Sequence, residues 1–323
     1  MVEGVELCHW QEPLPLLPVG EVVIEAFACE LPESFQQRMA AEEVTPVWIN
    51  LEYLSAESWV ADCHGLASPH PRLPLVKHFF FPGFDVRSGG LLREAGLIGR
   101  VDAFRNGGAA CGQWRAPQGL AAEAGDALRI SLFAYRQPGL AGLLRCWAEG
   151  ERAVQLLVPE GKVLVDLAPV FGGQAVRAAD RLRQGALEVR VLPFGSQDDY
   201  DRLLWCSDLN FVRGEDSFVR AQWAGRALVW QIYPQADDVH LDKLDAFMAQ
   251  HFAGLDADAA LAARRFWRAW NGDGAIASAW PDFLAALPRL DAHAREWRAF
   301  LAAQDDLGSR LVEFCSHRDG RPV

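Results

Sequence analysis

Short apolar runs and longer helical patterns follow one another along this chain in two different styles. In the first third, near-continuous apolar stretches over 21–28, 47–51 and 77–84 predict three buried strands, the last stopped by Pro82-Gly83. Short helices are predicted at 31–39, after Pro32, and at 55–60, where Ser55 and Glu57 give a start signal of the capping-box type. Ser88-Gly89-Gly90 then leads into 91–94 as a turn-to-helix junction; the double glycine would admit a close ligand, but a plain turn is the simpler reading. From 106 to 125 the chain turns rich in Gly, Ala and Pro, which predicts a boundary between a domain 1–125 and a domain 126–323. Beyond it the alternation is regular. Strands at 130–135, 154–158, 187–192, 208–212 and 228–233 precede helices at 138–148, 162–169, 198–206, 217–225 and 239–252. Five such βα units predict an α/β fold with a parallel, doubly wound sheet. The tail reads as four helices, 259–270, 281–287, 291–303 and 307–317, with Phe266, Trp267, Trp270, Trp297 and Phe300 at helical spacing as packing residues.

One stretch, from Asn210 to Trp223, concentrates the candidate chemistry. Phe211 and Val212 end a strand, Gly214 marks a tight turn, and Asp216 or Ser217 caps the following helix. Such a turn belongs at the carboxyl end of its strand, where open α/β sheets receive ligands. Arg213, Glu215, Asp216 and Ser217 put charge, hydroxyl and helical N–H groups at one spot, which suits a diphosphate. The other strands bring Phe133 and Tyr135, Phe194 with Gln197, and Tyr233 with Gln235 to the same edge. An aromatic ring there can stack on a base, worth ~1–3 kcal/mol in single-strand binders. Each residue alone reads equally well as strand-end packing or helix capping; their convergence favours a nucleotide-type ligand.

Composition narrows the field further. The 323 residues are 50% hydrophobic and 23% charged, and the net charge of −12 argues against a general nucleic-acid binder. No apolar run approaches the ~18 residues of a membrane helix, and the acidic start lacks a signal peptide's basic region. Seven scattered cysteines without a CxxC pair read as reduced, mostly buried thiols of a cytoplasmic protein. Cys63-His64 and Cys315 with His317 lack a second pair at zinc-finger spacing, so no metal is expected, and His64 reads as a structural histidine. GxSxG, GxxxxGK[ST] and HExxH motifs do not occur.

Asn50-Leu51-Glu52-Tyr53-Leu54-Ser55-Ala56-Glu57-Ser58-Trp59, Phe80-Phe81-Pro82-Gly83-Phe84 and above all 210–223 resemble the bacterial protein-arginine rhamnosyltransferases that modify elongation factor P. The resemblance runs from about residue 22 to 314. It implies a GT-B-like fold of two Rossmann-like domains facing a cleft, an acceptor-side first domain and a nucleotide-sugar donor domain second. The implied reaction moves L-rhamnose from dTDP-β-L-rhamnose to an arginine of elongation factor P with inversion, without metal or other cofactor. By matching motif, Phe194 is similar to the residue that stacks on thymine, with Tyr135 and Gln197 beside the nucleotide. Arg213, Gly214, Asp216 and Ser217 match the diphosphate-facing turn. Glu215 matches a carboxylate needed for activity, which either holds the sugar or orients the acceptor guanidinium.

The family's general base is an Asp in an Asn-Tyr-Gly-Asp-x-Gly-type turn after an opening strand. These residues include no such segment, so the first domain is expected to be incomplete, shortened by about 60 residues, roughly one βα unit with its flanks. A guanidinium with pKa near 13.8 would cost roughly 8–9 kcal/mol to neutralise beforehand, so a carboxylate must take the proton as the bond forms. The chain as given is therefore expected to bind dTDP weakly and to transfer little. Two other readings are a GT-B enzyme with another nucleotide sugar and acceptor, and a non-catalytic binder of elongation factor P.

Overall fold

Two mainly parallel sheets organise the computed structural model of the chain, which describes residues 4–9, 17–107, 109–117, 127–235, 238–272 and 274–319. In chain order the elements begin β1 (Val22–Ala26), α1 (Glu33–Ala41), β2 (Val47–Leu51), α2 (Val60–Cys63), β3 (Ala67–Pro69), β4 (Val76–Phe80), α3 (Leu97–Asn106) and α4 (Ala109–Arg115). They continue β5 (Leu128–Leu132), α5 (Leu140–Glu149), β6 (Val154–Pro159), α6 (Leu164–Leu167), β7 (Arg181–Gln184), β8 (Leu187–Leu192), α7 (Gln197–Cys206) and β9 (Leu209–Arg213). The last are α8 (Asp216–Ala224), β10 (Ala227–Gln231), α9 (Val239–His251), α10 (Ala257–Asn271), α11 (Ile276–Ala302) and α12 (Leu307–Asp319). This is the α/β class that the strand–helix rhythm predicts. Two compact units result, one from residues up to Leu92 together with Asp305 onward, the other Arg93–Gln304.

In the first unit the sheet order is β1-β2-β4-β3, with β3 antiparallel at the edge and the rest parallel. The two-residue period of β2 sorts its side chains onto opposite faces. Trp48 joins Val23, Leu75 and Met39 of α1, whereas Val47 and Ile49 join Phe80 and pack against Leu311, Phe314 and Cys315 of α12. The C-terminal helix therefore completes the first core.

The units part at 92/93 and 304/305, not at the 125/126 boundary expected from composition. The reason is packing: α3 and α4, which include Gly99, Gly107 and Gly112 at their ends or interiors, lie on α7 and α8 of the second unit. Arg105 Nη1 donates to the Ala224 carbonyl (2.9 Å) at the end of α8. α4 and α7 approach closely enough for a Cys111–Cys206 disulfide, Cα–Cα 6.0 Å. That bridge corrects the expectation of seven reduced thiols. Of the five free cysteines only Cys315 is buried, while Cys8 and Cys29 are exposed, so "mostly buried" is corrected as well.

The second sheet runs β10-β9-β5-β6-β8-β7, with the five expected strands parallel and β7 antiparallel on the edge. The chain lays β6 and β8 outward from β5, then returns to place β9 and β10 on the other side. The strand order thus reverses between β5 and β9. Below the reversal, the Ser131 hydroxyl donates to Asn210 Oδ1 (2.6 Å), and Asn210 Nδ2 donates to the Leu204 carbonyl (3.1 Å). Both side chains are buried, and a satisfied polar pair in the core fixes the β5–β9 register. Phe211 of β9 meets Trp147, Phe266 and Trp270 edge-on, and Trp267 and Trp297 are buried as well, whereas Phe300, also expected to pack, is 48% exposed. The helices expected at 281–287 and 291–303 are one, α11, which continues through Pro281 and Pro288. Buried Leu287, Leu290, Ala294 and Trp297 hold it on both sides of Pro288, against a proline penalty of about 3 kcal/mol.

Candidate functional site

β5 and β9 pair side by side where the strand order reverses, the place where open α/β sheets receive ligands, and the stretch from 210 onward shapes their carboxyl end. Arg213 ends β9, and its guanidinium carbon lies 4.3 Å from the ring centre of Phe133 and 4.6 Å from that of Tyr135, both just beyond β5. Tyr135 in turn meets Tyr233, beyond β10, edge-on at 5.5 Å. Three strand ends thus converge around one cation, held by ring faces.

The turn itself is built by Gly214 at φ +60°, a left-handed value natural to glycine. A Cβ there would come within 2.9 Å of the Tyr135 hydroxyl. Two side chains of β10 fix this geometry: Trp230 Nε1 donates to the Gly214 carbonyl (2.6 Å), and Gln231 Oε1 accepts the Tyr135 N–H (2.7 Å). The Gly214 N–H also donates to the Gln231 carbonyl (3.1 Å). Neither Trp230 nor Gln231 stands out in the sequence. The signal was available in their register, since they pair with Val212 and Arg213.

Ser217 departs from its expected role. Its hydroxyl donates to the Arg213 carbonyl and accepts the Arg213 N–H (3.0 Å), and the residue is buried. It locks strand to helix, so its hydroxyl is engaged within the turn itself. Glu215 occupies the N-cap position without making a side-chain cap bond, and Asp216 follows it, exposed, in the first turn.

Phe194 and Gln197 lie farther along the edge, after β8, which β6 separates from β5. Phe194 is 87% exposed and Gln197, also exposed, opens α7 behind the Ser196 cap. Among the described residues, Tyr135, Arg213 and Gly214 are brought together, while no hydrogen bond or ring contact joins Phe194 or Gln197 to them. The link between the groups is Tyr200 of α7, unnoticed in the sequence, which packs edge-on against Phe133 at 5.5 Å. Burial pushes its phenol far above the ordinary range, so it stays neutral.

The first unit has a smaller constellation at the carboxyl ends of β1 and β2. Phe27 and Tyr53 stack at 4.2 Å with about half of each exposed. Asn50, fully buried, accepts the Ala28 N–H (2.9 Å) and donates to Glu52 Oε1 (2.5 Å). Phe27, Ala28 and Glu30 have φ of 58°, 50° and 52°. Left-handed non-glycine residues cost about 1–3 kcal/mol each and gather at functional edges. Gly89 and Gly90 serve packing instead: a Cβ on Gly89 would strike the Phe80 ring at 2.4 Å. His64 accepts the Phe81 N–H through Nδ1 (3.1 Å) and is structural, its pKa lowered by burial and by Arg310.

Among the described residues no group of three or more His, Cys, Asp or Glu could hold a metal ion, and no helix is long and apolar enough to cross a membrane. Known proteins align with nearly the whole sequence. The family described as "Elongation-Factor P (EF-P) rhamnosyltransferase EarP" matches residues 1–316. A protein-arginine rhamnosyltransferase of Pseudomonas aeruginosa is 48% identical over 97% of this chain and 83% of its own length. One from Shewanella oneidensis is 39% identical over 96% of this chain and 82% of its own. A solved structure described as "Structural basis for EarP-mediated arginine glycosylation of translation elongation factor EF-P" superposes with a TM-score of 0.69 at 44% identity, covering 74% of this chain and 76% of that one. On this match, the chain belongs to the elongation factor P rhamnosyltransferase family, EarP.

Proposed function

We propose that this protein transfers L-rhamnose from dTDP-β-L-rhamnose to an arginine side chain of elongation factor P, with inversion at the anomeric carbon. The observation that carries the reading is the Arg213–Gly214 turn at the strand reversal, with Phe133 and Tyr135 stacked on the guanidinium. An acceptor nitrogen attacks C1 of the sugar as the C1–oxygen bond breaks, and the electron pair leaves on the dTDP diphosphate. Arg213 and the N-terminus of α8 receive that charge, so the leaving group needs no metal. The proton of the attacking nitrogen passes to a carboxylate as the new bond forms. Glu215, two residues after Arg213 at the N-cap of α8, is assigned to hold the acceptor cation in line. Phe194, the most exposed large apolar side chain described, is assigned to the thymine, with Tyr135 and Gln197 beside the nucleotide. Gly214 and Ser217 shape the turn, and Asp216 flanks it. The second unit is then the donor side and the first unit, with Phe27 and Tyr53, the acceptor side. A protein that modifies a translation factor belongs in the cytoplasm.

The test is mass spectrometry of elongation factor P after incubation with the protein and dTDP-rhamnose. One deoxyhexose on an arginine is expected, in low yield. Sugar on another residue type, or equal transfer from a UDP-sugar, would overturn the reading.

A further inference from the structure

The amino-terminal edge of the second sheet carries a separate concavity. Arg129 opens β5 and Arg226 precedes β10. With Arg105 of α3, Arg115 of α4 and Arg295 of α11 they line a cavity of about 400 Å³. Asp208 is the one carboxylate lining it among the described residues. A second, Asp291, pairs with Arg226 (3.4 Å) and Arg295 (2.5 Å). Five guanidiniums therefore meet two carboxylates, in a chain whose net charge is −12.

Arg105 and Arg115 donate to the Ala224 and Cys111 carbonyls, but two donors of the cluster are unused. The Nε atoms of Arg129 and Arg226 are buried and have no partner. A buried donor left without an acceptor is costly, more so when it is charged. Burial, then Arg226 and Arg298, hold the Arg105 pKa down to about 10, with Asp291 opposing. Like charges crowded around buried, unused donors are unfavourable unless a bound anion offsets them. Guanidinium forks fit phosphate oxygens two at a time. The cavity lies in the volume range of small-ligand sites.

We propose that this arginine-lined cavity binds a small, multiply charged phosphate anion of pyrophosphate size. It is separate from the Arg213 turn, because the length of β5 and β9, about 15 Å, lies between the two edges.

Hydrogen-exchange mass spectrometry of the whole chain tests this, comparing sodium pyrophosphate with sodium chloride at matched ionic strength. Pyrophosphate is expected to slow exchange over 97–106, 127–130 and 204–209. That protection should persist in Arg213→Ala and vanish in Arg129→Gln/Arg226→Gln. Should the double variant fail to fold, Arg115→Gln, altered on a half-exposed side chain, is expected to weaken pyrophosphate binding ~10-fold. Protection confined to 213–218, equal protection by chloride, or unchanged affinity in Arg115→Gln would overturn the proposal.

Discussion

The Tyr135 hydroxyl occupies the space that a Cβ on Gly214 would need, 2.9 Å away. That tight fit joins the end of β5 to the turn after β9. Gly214→Ala meets this contact and also a φ of +60°. The left-handed value alone costs about 1–2 kcal/mol, and displacing Tyr135 disturbs the ring that lies on Arg213. The variant is expected to melt lower and to lose dTDP affinity, measured by thermal unfolding with and without dTDP. Unchanged values in both would show that the turn is looser than described.

Arg220, three residues past Ser217, serves the fold and not the site. Buried, it donates from Nε to Asp201 Oδ1 (2.8 Å) and from Nη1 to both oxygens of Glu94 (2.5 and 2.7 Å), with Nη2 also on Asp201. Those carboxylates keep the guanidinium above its ordinary pKa despite burial. Arg220→Met strands Asp201, which is 1% exposed, without its partner. A loss of about 3–5 kcal/mol is expected in urea unfolding. Arg220→Met/Asp201→Leu should recover much of it, because the removed partner no longer leaves a buried charge behind.

Stability should fall in mild acid because of His251. Burial, assisted by His293, pushes its pKa from 6.5 down to about 3 within a ring cluster of Phe247, Trp267 and Trp297. The folded state keeps this imidazole neutral while the unfolded state takes up a proton below about 6.5. Its stability contribution is therefore complete above that value and is lost as pH falls toward 3, at up to roughly 1.4 kcal/mol per pH unit. Burial shifts His64 and His78 in the same direction. Urea midpoints at about pH 7.5 and about pH 5 should differ less in His251→Phe than in the parent. Identical differences would remove His251 from the explanation.

Local signals explain why the β9–turn–α8 element is legible in the sequence. From 209 to 224, an apolar run, a glycine and a polar helix start follow in order, and each acts on its own neighbours. The same is true of the other central strands, whose apolar runs need only burial. What stayed hidden is non-local. β7, Arg181–Gln184, carries a single apolar residue, Leu182, and exists through pairing with β8. α3 and α4 form because they pack on α7 and α8, although Gly107 and Gly112 read as breakers. No local pattern announces that Gln231 holds Tyr135, that the Ser217 hydroxyl turns back to Arg213, or that five scattered arginines meet at one edge.

The central claim is that the β9–α8 turn holds a dTDP diphosphate. Isothermal titration of the protein with dTDP and with UDP, repeated in Arg213→Ala, tests it most directly. Preferential binding of dTDP is expected, weakened in Arg213→Ala by roughly 10- to 100-fold, the worth of a charge-assisted bond of about 1.5–3 kcal/mol. Binding that leaves dTDP and UDP equal, or that ignores the loss of Arg213, would contradict it.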